Sequence, residues 1–143
     1  MIVNLHGHVN ENGEIVFDLV PLYFDVNQTV HVTEVFVSFN KNVNNLHGYI
    51  TTTLIDKNPV NQKQLLVFLP PSIKQSRHFY NSPTQKSQYK IQCRSLQSAT
   101  FNLHIFEDTE KFNFRKQGLA IQVYLQLEIT THAGIFNKSK TSQ

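Results

Sequence analysis

The histidines are the first residues of this chain whose type and spacing could do chemistry. Seven occur among 143 residues, and His6 and His8 stand two apart in a run of β-forming residues, which places both imidazoles on one side of a strand. Such a pair could bind zinc or copper, but a usable site needs further ligands and groups that orient the rings, and none stands at ligand spacing. The pattern favours exposed strand histidines, with no metal and no cofactor. The same interpretation applies to the dispersed histidines His31, His47, His78, His104 and His132.

Other residue types that catalyse reactions occur without the spacing that catalysis needs. Glu107, Asp108 and Glu110 lie together, but in a turn between two predicted strands, where acidic residues are ordinarily solvated. The five glycines form no Gly-x-Gly arrangement, which excludes a phosphate-cradling loop. Cys93 lies in an alternating apolar run and is expected to be a packed thiol rather than a nucleophile. We therefore predict that the protein is not an enzyme.

The charge pattern argues against a nucleic-acid partner. The formal net charge is +3, but lysine and arginine are scattered, and the closest approaches to a basic patch are Arg115-Lys116 and residues 137–140. Nucleic-acid-binding proteins instead concentrate positive charge where a phosphate backbone can lie. The N-terminal residues lack a basic region followed by an apolar stretch, and no window reaches the ~20 apolar residues of a membrane span. We expect neither a secretion signal nor a membrane span.

The strongest structural signal is the stretch Leu119–Ile129, where aliphatic residues alternate with mostly polar ones. A period of two is that of a β-strand with one buried face. Burial of each aliphatic side chain would contribute roughly 1.5–3 kcal/mol before the entropy of ordering is subtracted. The aliphatic residues are Leu119, Ile121, Val123, Leu125, Leu127 and Ile129.

Two more features of the pattern concern the N-terminal half. Asn12-Gly13 between the β-rich runs Ile2–His8 and Glu14–Leu19 predicts a hairpin. In Thr29–Phe39 the apolar phase slips by one residue, which a β-bulge near Thr33-Glu34 would reconcile. The alternative is a strand buried on both faces, with Phe36 under a covering loop.

Further β-rich runs bring the count to seven to nine strands, and no segment has a helical period. The fold class is therefore all-β, an antiparallel and jelly-roll-like β-sandwich of about eight strands. We expect one domain over residues 1–132 and a flexible polar tail over 133–143. The further runs are Pro21–Phe24, Leu46–Ile55, Leu65–Leu69, Tyr89–Cys93 and Thr100–Phe106.

The stretch from Pro70 to Lys86 loses periodicity and is predicted to be the longest loop. It carries an aromatic island, His78-Phe79-Tyr80, and long connections in compact domains often form contact surfaces. The equal alternative is that Phe79 plugs one end of the sandwich. Together with Tyr89, the island supplies the candidate binding residues, although the absence of tryptophan lowers the expectation of a glycan platform.

The order of elements in the last half of the chain supports a family resemblance. Phe101–Asp108 forms a strand and an acidic turn, and Leu119–Leu125 begins the last strand. This resembles small jelly-roll virion proteins of Polinton-like elements and virophages, in which an I-x-I-x-D strand, a polar turn and a final I-x-V-x-L strand recur. In those proteins a segment rich in tyrosine and proline precedes these strands, and Phe79–Pro83 corresponds to it here. The resemblance implies capsid vertex, spike or fibre-head proteins without catalytic residues, which form symmetric oligomers in the virion or inside the host during assembly.

The leading functional expectation is therefore a self-assembling structural or attachment protein. Its partners would be copies of itself and other capsid proteins. The chain is shorter than the usual vertex proteins, which argues against a vertex role and leaves a spike, decoration or fibre-head role open. The outward face of the last predicted strand is the expected assembly surface, because Gln122, Tyr124 and Gln126 are polar but uncharged. The alternative is a β-sandwich module that binds a glycan, a receptor or another protein.

Overall fold

The computed structural model describes residues 1–18, 21–25, 27–43, 46–57, 64–70, 76–83, 88–107 and 110–132. Two antiparallel sheets pack face to face over one shared hydrophobic cluster. The larger sheet has the order β2-β1-β10-β3-β6, with β7 also paired to β3, and the smaller sheet has the order β5-β4-β8-β9. The strands are β1 (Ile2–Val9), β2 (Ile15–Phe17), β3 (Gln28–Val43), β4 (Leu46–Thr52), β5 (Leu65–Leu69), β6 (Ser76–Asn81), β7 (Tyr89–Lys90), β8 (Phe101–Glu107), β9 (Glu110–Lys111) and β10 (Ile121–Thr131).

The predicted fold class is confirmed. From β3 onward the chain crosses between the two sheets repeatedly, at β3 to β4, β5 to β6, β7 to β8 and β9 to β10. Such crossings suit a jelly-roll-like sandwich better than a meander. The described residues contain a single helical turn, Leu96–Ser98, and it is far too short to cross a membrane.

The strand predicted at the C-terminal end is β10, which begins two residues later than expected. It lies in the middle of the larger sheet, between β1 and β3. Its aliphatic side chains face the smaller sheet because inward and outward positions alternate along the strand. The buried members are Ile121, Val123, Leu125, Leu127 and Ile129, while Leu119 precedes the strand and is half-buried.

The predicted N-terminal hairpin is confirmed. β1 and β2 pair through Gly7–Phe17, His8–Val16 and Val9–Ile15. Gly13 has a φ of 78°, a left-handed conformation that glycine adopts without steric cost. The turn is closed by the Asn10 side chain, whose Oδ1 accepts hydrogen bonds from the backbone N–H groups of Asn12 and Glu14, both at 3.0 Å.

The predicted bulge is also confirmed. Gln126 of β10 pairs with Glu34 and the next residue, Leu127, pairs with Val32, so Thr33 has no partner on β10. The extra residue keeps the valines before and after it on the buried side: Val30, Val32, Val35 and Val37 are all buried. Phe36 points to the opposite side of the strand and is half-buried.

The predicted Pro70–Lys86 loop is wrong for its middle section. Ser76–Asn81 forms β6, which pairs with β3 from Val35–Asn81 to Ser38–His78. Phe79 is the one large apolar side chain of this segment that faces inward, so the sequence shows almost no alternation of apolar and polar residues. The segment is a strand because it pairs with β3. Residues 71–75 and 84–86 of the predicted loop lie outside the described residues.

Smaller boundaries also differ from expectation. Pro21–Phe24 forms no strand and contributes one isolated bridge, Tyr23 to Ser95, while Ile55 and Ile91 form another. Glu110–Lys111 of the predicted acidic turn pairs with the end of β8 as β9. Asp108 and the predicted tail 133–143 lie outside the described residues.

Candidate interaction surface

Four neighbouring strands of the larger sheet, β1, β10, β3 and β6, present a continuous surface on the side away from the core. Their aliphatic positions face the smaller sheet, so the intervening positions must face outward. We call this surface the larger outer face. Its members are Asn4, His6, His8, Glu34, Phe36, Ser38, His78, Tyr80, Gln122, Tyr124, Gln126 and Glu128.

An aromatic row crosses all four strands of the larger outer face. In register, His6 lies opposite Tyr124, Tyr124 opposite Phe36, and Phe36 opposite Tyr80. The ring centroids of His6 and Tyr124 are 4.8 Å apart, and Phe36 stacks on His78 at 5.5 Å. Tyr80, at the outer end of the row, is 52% exposed. Cross-strand aromatic pairs stabilise a sheet and leave a broad apolar surface on it.

Hydrogen bonds hold the polar members of this face in place. The hydroxyl of Tyr124 donates to Asn4 Oδ1 at 2.8 Å, and Gln126 Nε2 donates to the same oxygen at 2.9 Å. The bulge residue Thr33 donates its hydroxyl to Gln126 Oε1 at 2.8 Å. A shallow depression beside this network is lined by His6, Glu34, Phe36, Ser38, Gln122 and Tyr124. The face is therefore organised before any partner binds, which lowers the entropic cost of association.

The structure brings together most of the residues that the sequence singled out separately. His78 and Tyr80 lie on the same outer face as Gln122, Tyr124 and Gln126. The other two proposed binding residues do not: Phe79 is 4% exposed and packs edge-to-face on Phe39, with ring centroids 6.0 Å apart. Tyr89 lies opposite Val30 and packs against the core.

A second aromatic surface lies on the smaller sheet, and the sequence analysis missed it. We call it the smaller outer face. Two pairs of stacked rings lie across β4 and β8: Tyr49 with His104 at 4.7 Å and His47 with Phe106 at 5.4 Å, both with an interplanar angle of 17°. The sequence did contain a signal for this surface: the alternating positions of both strands that should face outward carry aromatic residues and histidines. The face consists of His47, Tyr49, Thr51, Phe68, Asn102, His104, Phe106 and Lys111.

His104 is a titratable group on the smaller outer face that has both a hydrogen bond and a stacked ring. Its Nε2 is hydrogen-bonded to the Thr51 hydroxyl at 2.8 Å, and its ring stacks on Tyr49. Burial, and then the charge of Lys111, lower the pKa of His104 below its ordinary value of 6.5. The neutral ring is therefore favoured in the folded protein.

The lowered pKa of His104 makes the protein less stable in mild acid. Well above pH 6.5 the ring is neutral in both states. As the pH falls through 6.5, the unfolded chain binds the proton first, so the free energy of unfolding decreases until the folded ring is protonated too. Lys111→Gln removes one cause of the shift, so we expect a higher pKa of His104 and a smaller loss of stability. NMR titration and urea unfolding at several pH values measure both quantities. Lys57→Gln is the matched control, and equal effects of the two substitutions would contradict the prediction.

The described residues hold no group of three or more histidine, cysteine or acidic side chains that could bind a metal ion. His6 and His8 do share the larger outer face, as their spacing predicted, and both are exposed. A carboxylate and an imidazole approach each other at His31, whose Nε2 lies 3.4 Å from Glu128 Oε2. His31 is 5% exposed, so this pair is positioned as part of the sheet rather than in an open cleft.

No protein-family model matches this chain, and no curated protein matches it by sequence. Among solved structures, a chain of the cyanophage Pam1 capsid asymmetric unit is similar at 12% identity, with 88% of this chain aligned to 83% of that one and a TM-score of 0.26. A chain from the structure of infectious bursal disease virus, Gt strain, is similar at 8% identity, over 94% of this chain and 41% of that one, with a TM-score of 0.25. Both are virus structures, but such TM-scores do not establish a shared fold, and the architecture rests on the strands of this chain.

Proposed function

We propose that this protein is a non-enzymatic structural component of a virus or virus-like particle, and that it self-associates through the larger outer face. The observation that carries the proposal is the aromatic row from His6 to Tyr80 across four strands. The outward positions of these strands carry two carboxylates, Glu34 and Glu128, and no lysine or arginine. Cores of protein interfaces are enriched in aromatic residues and depleted of charge, and the aromatic row itself contains no carboxylate, lysine or arginine.

The energetic argument for association rests on a few side chains. Buried aromatic rings remove about 150–250 Å² each from water and dominate interface energetics. Phe36 is the anchor best suited to this role, because it is half-buried at the centre of the row and held by its stack on His78. Tyr80 is more exposed and offers more new area to a partner. Such central aromatics are the usual hot spots of interfaces.

The viral part of the proposal comes from the sequence. The strand, acidic turn and final strand over Phe101–Leu125 resemble virion proteins whose role is assembly rather than turnover. On this proposal the protein resides in the virion or in the host interior during assembly. Its partners are further copies and other capsid proteins, in a spike, decoration, fibre-head or other capsid-associated position.

Sedimentation velocity at high micromolar concentration tests the association. The wild-type chain should form oligomers, and Phe36→Ser should weaken association at least about tenfold, the equivalent of 1.4 kcal/mol. Tyr23→Ser is the matched control, because Tyr23 is 72% exposed but lies on neither outer face. A strictly monomeric wild-type chain, or an equal effect of both substitutions, would overturn the proposal.

A second candidate function is the binding of a glycan, receptor or other protein ligand, and the exposed ring of Tyr80 favours it. An open tyrosine ring can stack on a sugar, and the Tyr80 ring has no stacking partner among the ring contacts of the described residues, whereas the rings of the smaller outer face are stacked in pairs. Glycan-array binding that Tyr80→Ala abolishes, by a wild-type monomer, is the result that would favour this function over self-assembly.

A further inference from the structure

We propose that copies of this chain associate front to back, with the smaller outer face of one copy packed on the larger outer face of the next. The inference rests on the proposed self-association and names its partner surfaces. Both faces are sheet surfaces of one sandwich, and sheets of two copies can pack at the ~10 Å spacing usual between stacked sheets. The argument for this pairing comes from the charges and side chains of the two faces.

The smaller outer face is aromatic and positive. Lys111 lies opposite Phe106 at one side of the stacked rings, and outward positions on the four strands of this sheet hold no carboxylate among the described residues. Glu107 lies at the end of β8, 4.0 Å from Lys116 Nζ. At the opposite edge, Phe68 is 63% exposed, more than any other phenylalanine among the described residues. A large exposed apolar ring beside an ordered aromatic cluster is typical of an interaction surface.

The larger outer face is aromatic and negative. Glu34 stands two residues before Phe36 on β3, so it lies beside the aromatic row. Glu128 lies further along β10, 3.4 Å from His31 Nε2 of the same chain, so Glu34 is the carboxylate more available to a partner. Each face thus has an aromatic centre and a charge at its side, but the signs are opposite. Opposite charges across an interface steer association and fix orientation, whereas like charges facing each other cost free energy.

The complementarity favours front-to-back packing over pairing of identical faces. Packing two larger faces would bring the carboxylates of both copies to one interface, and the outward positions of the same strands hold no lysine or arginine; Lys41 of β3 and Arg77 of β6 are at positions of the opposite phase. Packing the smaller face on the larger one instead brings Lys111 of one copy and the carboxylates of the next copy to the same interface. Such a heterologous contact leaves one face free at each end, and therefore builds a closed ring or an open filament rather than an isolated dimer.

A mixing experiment tests the inference. One variant, Phe36→Ser with Tyr80→Ser, blocks the larger outer face, and the other, Phe68→Ser with Lys111→Glu, blocks the smaller one. Each variant alone should associate at least about tenfold more weakly than the wild-type chain. An equimolar mixture should form a heterodimer that grows no further, because the intact smaller face of the first variant meets the intact larger face of the second.

The outcomes separate the two proposals. If the smaller-face variant associates as the wild-type chain does, the front-to-back inference is wrong and self-association through the larger face stands. If both variants are monomers and their mixture is monomeric too, the inference is also wrong. A monomeric wild-type chain removes the proposed function and the inference together. Urea unfolding of each variant confirms that it is folded before mixing.

Discussion

Deletion of Ser38 should remove a large part of the protein's stability, whereas deletion of Thr33 from the same strand should leave the fold intact. Side chains alternate along β3, so removal of one residue turns one section of the strand over. Without Ser38, Phe39 must point outward, and Val43 does so too if the shifted register continues past the irregular pairing between Ser38 and Val43. Losing the burial of both side chains costs about 3–6 kcal/mol, at 1.5–3 kcal/mol each. This is a large part of the 5–15 kcal/mol that stabilises a typical domain.

Thr33 is different because it is the extra residue of the bulge, so no residue of β10 pairs with it in the strand register. Its removal restores a regular alternation from Val32 to Val35, so the buried valines stay buried. The deletion loses the hydrogen bonds that Thr33 makes with Gln126 and Ser82, a cost of about 1–2 kcal/mol. Urea unfolding compares the two deletions directly. Equal losses of stability would show that the bulge is not where the structure places it.

The second large effect is expected at Leu125, in the middle of β10. Its side chain is fully buried, and Leu125 pairs with Leu5 on one neighbouring strand and Val35 on the other. Leu125→Ala should lower the free energy of unfolding by about 2–5 kcal/mol, because it removes buried methyl groups and leaves a cavity that the flanking strands cannot fill. Urea unfolding gives this difference, with an unchanged m-value if the transition stays two-state.

Leu119→Ala is the control for this substitution. It makes the same chemical change in a half-buried residue that precedes β10, so it should cost clearly less than Leu125→Ala. A loss at Leu119 as large as that at Leu125 would mean that the buried section of the strand begins earlier than Ile121. Both residues belong to the alternating pattern of the sequence, and burial alone separates them.

The central parts of the fold were predictable because patterns within short stretches of sequence determine them. The alternation along β10, the Asn12-Gly13 turn and the phase slip near Thr33 each express one physical requirement within a few residues. β6 was not predictable in this way. Its sequence offers Phe79 as its only large inward apolar side chain, and the segment becomes a strand by pairing with β3, which lies about forty residues away in sequence.

The candidate surface was predictable only in pieces. Alternation alone assigned Gln122, Tyr124 and Gln126 to the outward side of one strand, and the aromatic island suggested His78 and Tyr80. Their union on one face depends on strand order, which sequence patterns do not express. The smaller outer face was missed for a related reason: histidines that look dispersed along the chain become neighbours of aromatic rings only when β4 and β8 pair.

The central place of β10 sets the order in which the molecule can fold. Both of its neighbours, β1 and β3, precede it in the chain, β1 by more than a hundred residues. During synthesis these two strands leave the ribosome before β10 does, so the edge of each that pairs with β10 stays without its hydrogen-bonding partner until β10 has been made. Contacts between distant residues form slowly, and open edges recruit other chains meanwhile. The step that joins β1 to β3 through β10 is therefore the one at which nascent copies are most exposed to mispairing and to chaperones.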